Sequence, residues 1–454
     1  MIRFFVLLFV TSASSLAQSP ELVKDLYSGA VSGWPHSMIK VGKNLFFSAS
    51  TLIDNNSHYS LWKTDGTTGG TVLVKSHIEI DDRTLTGIND ILYFAASDEN
   101  GTELWRSDGT TEGTVMVKDI HTTGSSYPRK LTNVNGTLFF IASDLQNVDQ
   151  LWKSDGSLNG TIPVKRLSND FGFPVGQPQM ISFKNKLHYL YTSDSELQLW
   201  QSDGSLDGTL PVKVLSYGGD FLVNFNNRQL LFTGPQGWFG STLWQSDGTS
   251  EGTSTIQTIN GEKLAFISQP VVLNDNSYFY GFSSNGIIGL WKYDGVNLQL
   301  IKHPLQSYHS MYYNGKVPII DNVLYFRAFS TDNRNNLWRS DATENGTFAI
   351  PVVNEGIIYE DVQEITALRN KIYFTARSVQ LEKRFLFVSD GTEAGTKRLF
   401  EVPYQRHEER SNVILGAYDG TLYLRLRDSA HGLELWKYTP DEKKCLPVVV
   451  SKIK

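Results

Sequence analysis

The phrase "LWKSDGSLNGTIPVK" at Leu151 to Lys165 has near copies at Leu104 to Lys118 ("LWRSDGTTEGTVMVK") and at Leu199 to Lys213 ("LWQSDGSLDGTLPVK"). Its aromatic recurs nine times, at Trp62, Trp105, Trp152, Trp200, Trp244, Trp291, Trp338, Phe387 and Trp436. Successive spacings are 43, 47, 48, 44, 47, 47, 49 and 49 residues. Eight of the ten tryptophans sit at this one position, which excludes coincidence. A period in the forties restricts the chain to a propeller or a solenoid of supersecondary units.

One period chooses between them. Leu131 to Val134 is a short apolar stretch ended by Asn135-Gly136, a turn signal. "TLFFIASD" (Thr137 to Asp144) follows with strong β propensity, then "QLWKSDG" (Gln150 to Gly156), then "GTIPVKRL" (Gly160 to Leu167). That is four short strands, here named A to D, with no helical periodicity. A four-stranded meander cannot bury both of its faces alone; set radially, each blade packs on two neighbours. The expected fold is all-β, a single β-propeller of about nine four-stranded blades, with eight as the alternative. The expected domains are a signal peptide at 1–17 and a propeller over 18–454, built from repeats of about 47 residues.

The repeated words have physical reasons. Leu and Trp alternate on strand C, so each faces a different neighbouring blade, and Trp brings a large area to bury. The carboxylate at Asp65, Asp108, Asp155, Asp203, Asp247, Asp294, Asp341 and Asp390 can accept from backbone amides two residues on, and Gly tolerates the positive φ of a tight turn. Calcium is the competing reading of these carboxylates, but each turn brings one, and calcium takes six to eight oxygens. Turn capping is therefore expected, with no cofactor. The position after the aromatic (Lys63, Arg106, Lys153, Gln201, Gln245, Lys292, Arg339, Val388, Lys437) is expected to snorkel between blades and pair with the adjacent Asp.

The phrase "ELWRSDGTTEGT", Glu103 to Thr114, resembles the ELWxxDGTxxGT repeats of secreted bacterial proteins. The resemblance covers nearly the whole chain and implies an exported or cell-surface repeat protein. Departures are Phe387 for Trp, Ala342 for Gly, "LWKYDGVNLQL" without the second Gly-Thr, and the last copy, "LWKYTPDEKK", without Asp-Gly.

Export is read independently from the N-terminus. Arg3, the apolar run Phe4 to Val10, and small residues Ser15 and Ala17 form a signal pattern with cleavage near Ala17. The expected place is secreted, cell-surface or periplasmic. No apolar run approaches membrane length. The single cysteine, Cys445, excludes an internal disulfide and a Cys-rich metal site, and a net charge of -6 argues against nucleic acid.

No catalytic motif with fixed spacing is present, so function is sought where repeats stop agreeing. The D–A loops vary most and are aromatic: "SGWPHS" (Trp34, His36), "GSSYPRK" (Tyr127, Arg129), "NDFGFPVGQ" (Phe171, Phe173), "QSYHSMYYNG" (Tyr308, His309, Tyr313), "EGIIYEDVQE" (Tyr359) and "VPYQRHEERSN" (Tyr404, Arg406, His407). The B–C loop "GPQGWFGS" adds Trp238 on the same face. Rings beside Arg, Asp and Glu suit a glycan or an extended protein segment, so a binding module is the leading reading. The alternatives are a polysaccharide-active enzyme, for which Asp361, Glu364, His407 and Glu408 are the candidate groups, and a purely structural element of a surface assembly.

Ring closure is legible too. "ELVKDL", Glu21 to Leu26, repeats the strand D spelling of "VMVKDI", Val115 to Ile120, ahead of the first A strand. The expectation is that it joins the last blade, next to or in place of "LPVVVSK", Leu446 to Lys452.

Overall fold

The computed structural model describes residues 19–53, 56–167, 179–193, 196–215, 221–234, 242–257, 261, 263–265, 268–303, 317–329, 334–403 and 413–440. Nine antiparallel blades follow one another around a ring. Blade three shows the pattern: A is Arg129–Val134, B Thr137–Ser143, C Asp149–Ser154 and D Ile162–Arg166, hydrogen-bonded in that order. The A strands are innermost. Those of blades one to five pack in sequence, that of blade eight packs on blade nine, and that of blade nine on blade one. Blade six carries an extra strand, Leu264–Ala265, and a hairpin of Val353–Asn354 and Ile357–Ile358 separates blades seven and eight.

Closure takes the form read from the sequence. Strand Glu21–Lys24 pairs antiparallel with Gly432–Tyr438, the C strand of blade nine, and so supplies its D strand. Residues 446–452 lie outside the described residues.

The buried apolar side chains fall into clusters that each bridge two adjacent blades, nine among the described residues for nine seams. Leu151 and Trp152 show why. Trp152 packs with Tyr93, Leu104, Val117 and Ile120 of blade two. Leu151 packs with Leu187 and Tyr189 of blade four. One dipeptide thus serves two seams, because successive side chains of a strand point to opposite faces. Trp152 also stacks on its cross-strand partner Phe140, with ring centroids 6.2 Å apart. Phe374 and Phe387 keep that stack in blade eight, at 5.5 Å, so Phe387 replaces Trp without loss of the pair.

The turn between strands C and D is held by side chains. In blade three Asp155 Oδ1 accepts from the Ser157 amide at 2.8 Å and its hydroxyl at 2.7 Å. Ser154 and Thr161 share a hydrogen bond at 2.7 Å, and the Gly156 amide donates to Ser154 at 2.9 Å. The Ser157 hydroxyl, then its amide, hold the Asp155 carboxyl below its usual range. The same Asp contact recurs at Asp65, Asp108, Asp203, Asp247, Asp341 and Asp390. Asp294 of blade six keeps the amide two residues on, from Val296, and has the Asn297 amide where the other turns have a hydroxyl. Both glycines are constrained. Gly156 lies at φ +89° under the Tyr93 hydroxyl of blade two, and a Cβ on Gly160 would run into the Asp155 carboxylate.

The cation after the aromatic corrects one expectation. In three repeats it reaches the next blade with a hydrogen bond to the turn glycine's carbonyl, not to the Asp carboxylate. Lys63 donates to Gly109 at 2.7 Å, Arg106 to Gly156 at 2.9 Å and Lys437 to Gly66 at 3.1 Å. Oδ1 of each Asp is already engaged by its own turn, and the cation reaches the carboxylate only as a charge that helps hold it down. The last of these contacts crosses the closing seam from blade nine to blade one.

Candidate binding face

The crossing from blade two to blade three is built around a buried carboxylate. Glu103, two residues before Trp105 on strand C, is 0% exposed. It accepts from the amides of Ile120, His121 and Ser126 at 3.0, 3.3 and 3.0 Å, and from the Ser126 hydroxyl at 2.5 Å. Burial pushes its carboxyl up, against the pull of these donors. The Tyr127 amide donates to Thr102 at 3.1 Å, and the Ser143 amide to Ser126 at 2.7 Å. A connection that could be loose is thus tied at both ends.

On this tied loop Tyr127 stands at φ +49° with 60% of its surface exposed. Left-handed backbone is costly for a bulky residue and persists only where the surroundings enforce it. Arg129 pairs with Asp149, which also accepts from Ser143. Lys130 follows at φ +56°, where strand A is bulged between Arg129 and Thr132.

Trp34 and His36 occupy the matching crossing from blade nine to blade one. Glu434, also 0% exposed, accepts from Leu26 at 2.8 Å and Gly33 at 2.6 Å. Trp34 is half-buried at φ +48°, and its amide donates to Leu433. Arg425 Nη1 lies 2.9 Å from His36 Nδ1, and the Tyr59 ring meets His36 edge-on at 5.6 Å. Burial first, and the Arg425 charge second, bring the His36 pKa down to about 4, so the ring is neutral at pH 7 and accepts from Arg425.

Tyr359 is a correction. It is 0% exposed, with Phe387 4.8 Å away and Phe385 5.6 Å away. The hairpin before it turns the chain inward, so the ring joins the core of the seam between blades seven and eight and does not stand on the loop face. Phe171, Phe173, Trp238, Tyr308, His309, Tyr313, Tyr404, Arg406 and His407 lie outside the described residues.

Two of the carboxylates named for catalysis are engaged in holding the ring. Asp361 pairs with Arg384, which is buried. Glu364 crosses to blade nine and accepts from the amides of Val413 and Ile414 at 2.8 and 3.0 Å. Both stand at positive φ, at the bulges that open strand A of blade eight. His407 and Glu408 lie outside the described residues.

Sequence reasoning missed a recess of about 230 Å³ between the A strands of blades two, three and four. Arg83, Thr84, Lys130, Thr132, Gln179 and Met180 are among its lining. Arg83 forks onto Asp81 with two 2.8 Å bonds. Burial, then the Arg129 charge, pull the Lys130 amine below its ordinary range. The available signal was the run of basic residues Arg129-Lys130 directly after the aromatic loop.

No protein-family model matches the chain, and no curated protein matches it. Among solved structures it is similar to the β-propeller domain of the Trilobed protease from Pyrococcus furiosus. The identity is 12% and the TM-score 0.35, over 71% of this chain and 98% of that one. It is similar to puromycin hydrolase at 11% identity and TM-score 0.40, over 90% of this chain and 60% of that one. Oligopeptidase B from Leishmania major gives 11% and 0.39, over 79% and 54%. The chain thus spans between about half and three-fifths of the length of the latter two proteins.

Proposed function

We propose that this chain is an exported ELWxxDGT-type repeat propeller, released by cleavage near Ala17, that works as a binding module. Its ligand is a glycan or an extended protein segment, held on the face where the D–A and B–C loops lie. The observation that carries the reading is Tyr127: a ring left 60% exposed, on left-handed backbone, by a loop that a buried glutamate ties down. Holding a bulky residue there costs on the order of 1–3 kcal/mol. A rigid amphipathic ring is also what recognition surfaces use as an anchor.

The test is a glycan and peptide array probed with the full chain and with Tyr127→Ala. Loss of an anchor ring should weaken binding by about 2 kcal/mol, roughly thirtyfold. Thermal stability should move by about 0.5 kcal/mol or less, because the ring packs little. Equal binding by the variant, or no binding by the native chain to either array, would overturn the reading.

A further inference from the structure

Among the described residues, nothing balances the cation that the inner recess of blades two to four holds, Lys130. Lys130 is half-buried, and its amine has no hydrogen bond or ion pair among the described residues. The neighbouring cations are committed, Arg129 to Asp149 and Arg83 to Asp81. The charge that acts on Lys130 is the like charge of Arg129, and it adds to burial in disfavouring the ammonium form. A partly desolvated charge without a counter-ion is costly, and an incoming carboxylate would relieve that cost.

The rest of the lining describes what carries the carboxylate. Thr132 donates its hydroxyl proton to the Lys130 carbonyl at 2.9 Å, and Thr86, in the same wall, donates to the Thr84 carbonyl at 2.9 Å, so both hydroxyl oxygens are left as acceptors, whereas that of Thr84 already accepts from the Ala95 amide. The Gln179 carboxamide can donate and accept. Such a wall suits a ligand unit rich in hydroxyl groups. Its volume of about 230 Å³ falls below the roughly 300–1,000 Å³ of drug-sized pockets, which limits the occupant to one small unit. Tyr127, three residues before Lys130, offers a ring face to a continuing chain.

We propose that this recess is a carboxylate subsite that takes one acidic sugar unit of a uronate-bearing glycan. The proposal rests on the binding reading above and narrows its ligand class. It is tested by calorimetry on the full chain with a short oligouronate and with the same oligosaccharide after carboxyl reduction. The acid form should bind at least about tenfold more tightly, equivalent to about 1.4 kcal/mol. Lys130→Gln should remove that preference, weakening the acid form about tenfold and leaving the reduced form unchanged, and Lys130→Arg should keep most of it. Equal affinity for the two sugar forms overturns this inference and leaves glycan binding standing. So does Tyr127-dependent binding of other array glycans with no response to the uronate, and so does tighter binding of an oligoglutamate peptide. The comparison of the two sugars on the native chain needs no variant, so a poorly folding Lys130→Gln does not blunt it.

Discussion

The seam between blades two and three lies inside a continuous chain; the seam between blades nine and one joins its two ends. They are the same seam. Tyr93, Leu104, Val117 and Ile120 meet Leu138, Phe140, Ala142 and Trp152 in the first. Tyr423, Leu435, Val23 and Leu26 meet Leu45, Phe47, Ala49 and Trp62 in the second, position for position. A cation reaches the next turn in both, Arg106 to Gly156 and Lys437 to Gly66, and a tyrosine hydroxyl covers each glycine. The difference lies in the buried glutamates. Glu103 has the Ser126 hydroxyl as well as amides, whereas Glu434 has a glycine, Gly33, at that point and Asp25 nearby. Burial, with this thinner compensation, pushes the Glu434 carboxyl up to about 7. The lesson is that closure needs no special device: a strand D lies ahead of the first strand A, and an ordinary seam does the rest.

The strongest way to break the equivalence is to remove its shared part. Deleting residues 19–26 strips Val23 and Leu26 from the seam and takes from Glu434 one of its two amide donors, leaving Gly33. The loss should be on the order of 4–5 kcal/mol, among the large effects that core loss and an under-satisfied buried carboxyl produce together. Denaturant unfolding should show it, and a synthetic peptide of residues 19–34 added in trans should restore part of it. Next, Trp62→Ala and Trp152→Ala should each cost about 3–5 kcal/mol. The two costs should agree within about 0.5 kcal/mol; a much cheaper Trp62 change would mean that the closing seam is loosely packed. Smaller again, Asp65→Ala and Asp155→Ala should each cost about 1 kcal/mol, comparable to losing a helix cap, since the two turns carry the same contacts. A chelator should leave the unfolding midpoint unchanged, and a drop as large as that of either Asp change would favour calcium.

The last comparison separates the seams by pH. Glu434 is raised in the folded chain above its ordinary 4.5. Between about pH 4.5 and 7 the folded state therefore holds a proton that the unfolded state has released, and this group's contribution falls as pH rises through that window. His36 and His188, both lowered to about 4 by burial, act oppositely, losing stability as pH falls from 6.5 toward 4. The difference between native protein and Glu434→Gln, followed from pH 8 to 5, isolates the first. Native protein should gain relative to the variant as the pH drops; a flat difference would mean that Glu434 is ionised throughout.

The ring was legible because its information is periodic. Eight copies of Leu-Trp and one of Leu-Phe fix phase and blade number, and "ELVKDL" places a strand D ahead of the first strand A. The clamps were not legible. Glu occupies the position two before the aromatic at Glu103 and Glu434, but Gln150, Gln198 and Thr242 take it elsewhere, so it reads as a variable residue. Its role emerges only when the loop amides converge on it. The loop face was half legible: Tyr127 is exposed as its loop suggested, while Tyr359 is buried because the hairpin ahead of it, spelled with ordinary residues, redirects the chain. The bulges at Ser37 and Lys130 left no mark, since neither is a residue type that announces positive φ.

The Leu26 amide and the Glu434 carboxylate that meet at closure are 408 positions apart. Chain-closure entropy grows only with the logarithm of length, so this contact costs about 2 kcal/mol more to bring together than one spanning a single 47-residue repeat. Rates are less forgiving, because contacts between distant positions form late and slowly. During synthesis strand Glu21–Lys24 must wait for the last blade, and the partly finished molecule is an arc. One end of the arc shows the bare edge of a C strand, and the other shows the Trp62 side of blade one. Those two raw ends match each other, and they equally match the ends of a second arc. At high concentration during refolding, the competing product should therefore be a linked pair in which each arc completes the other, and its yield should rise with protein concentration while that of the single ring does not.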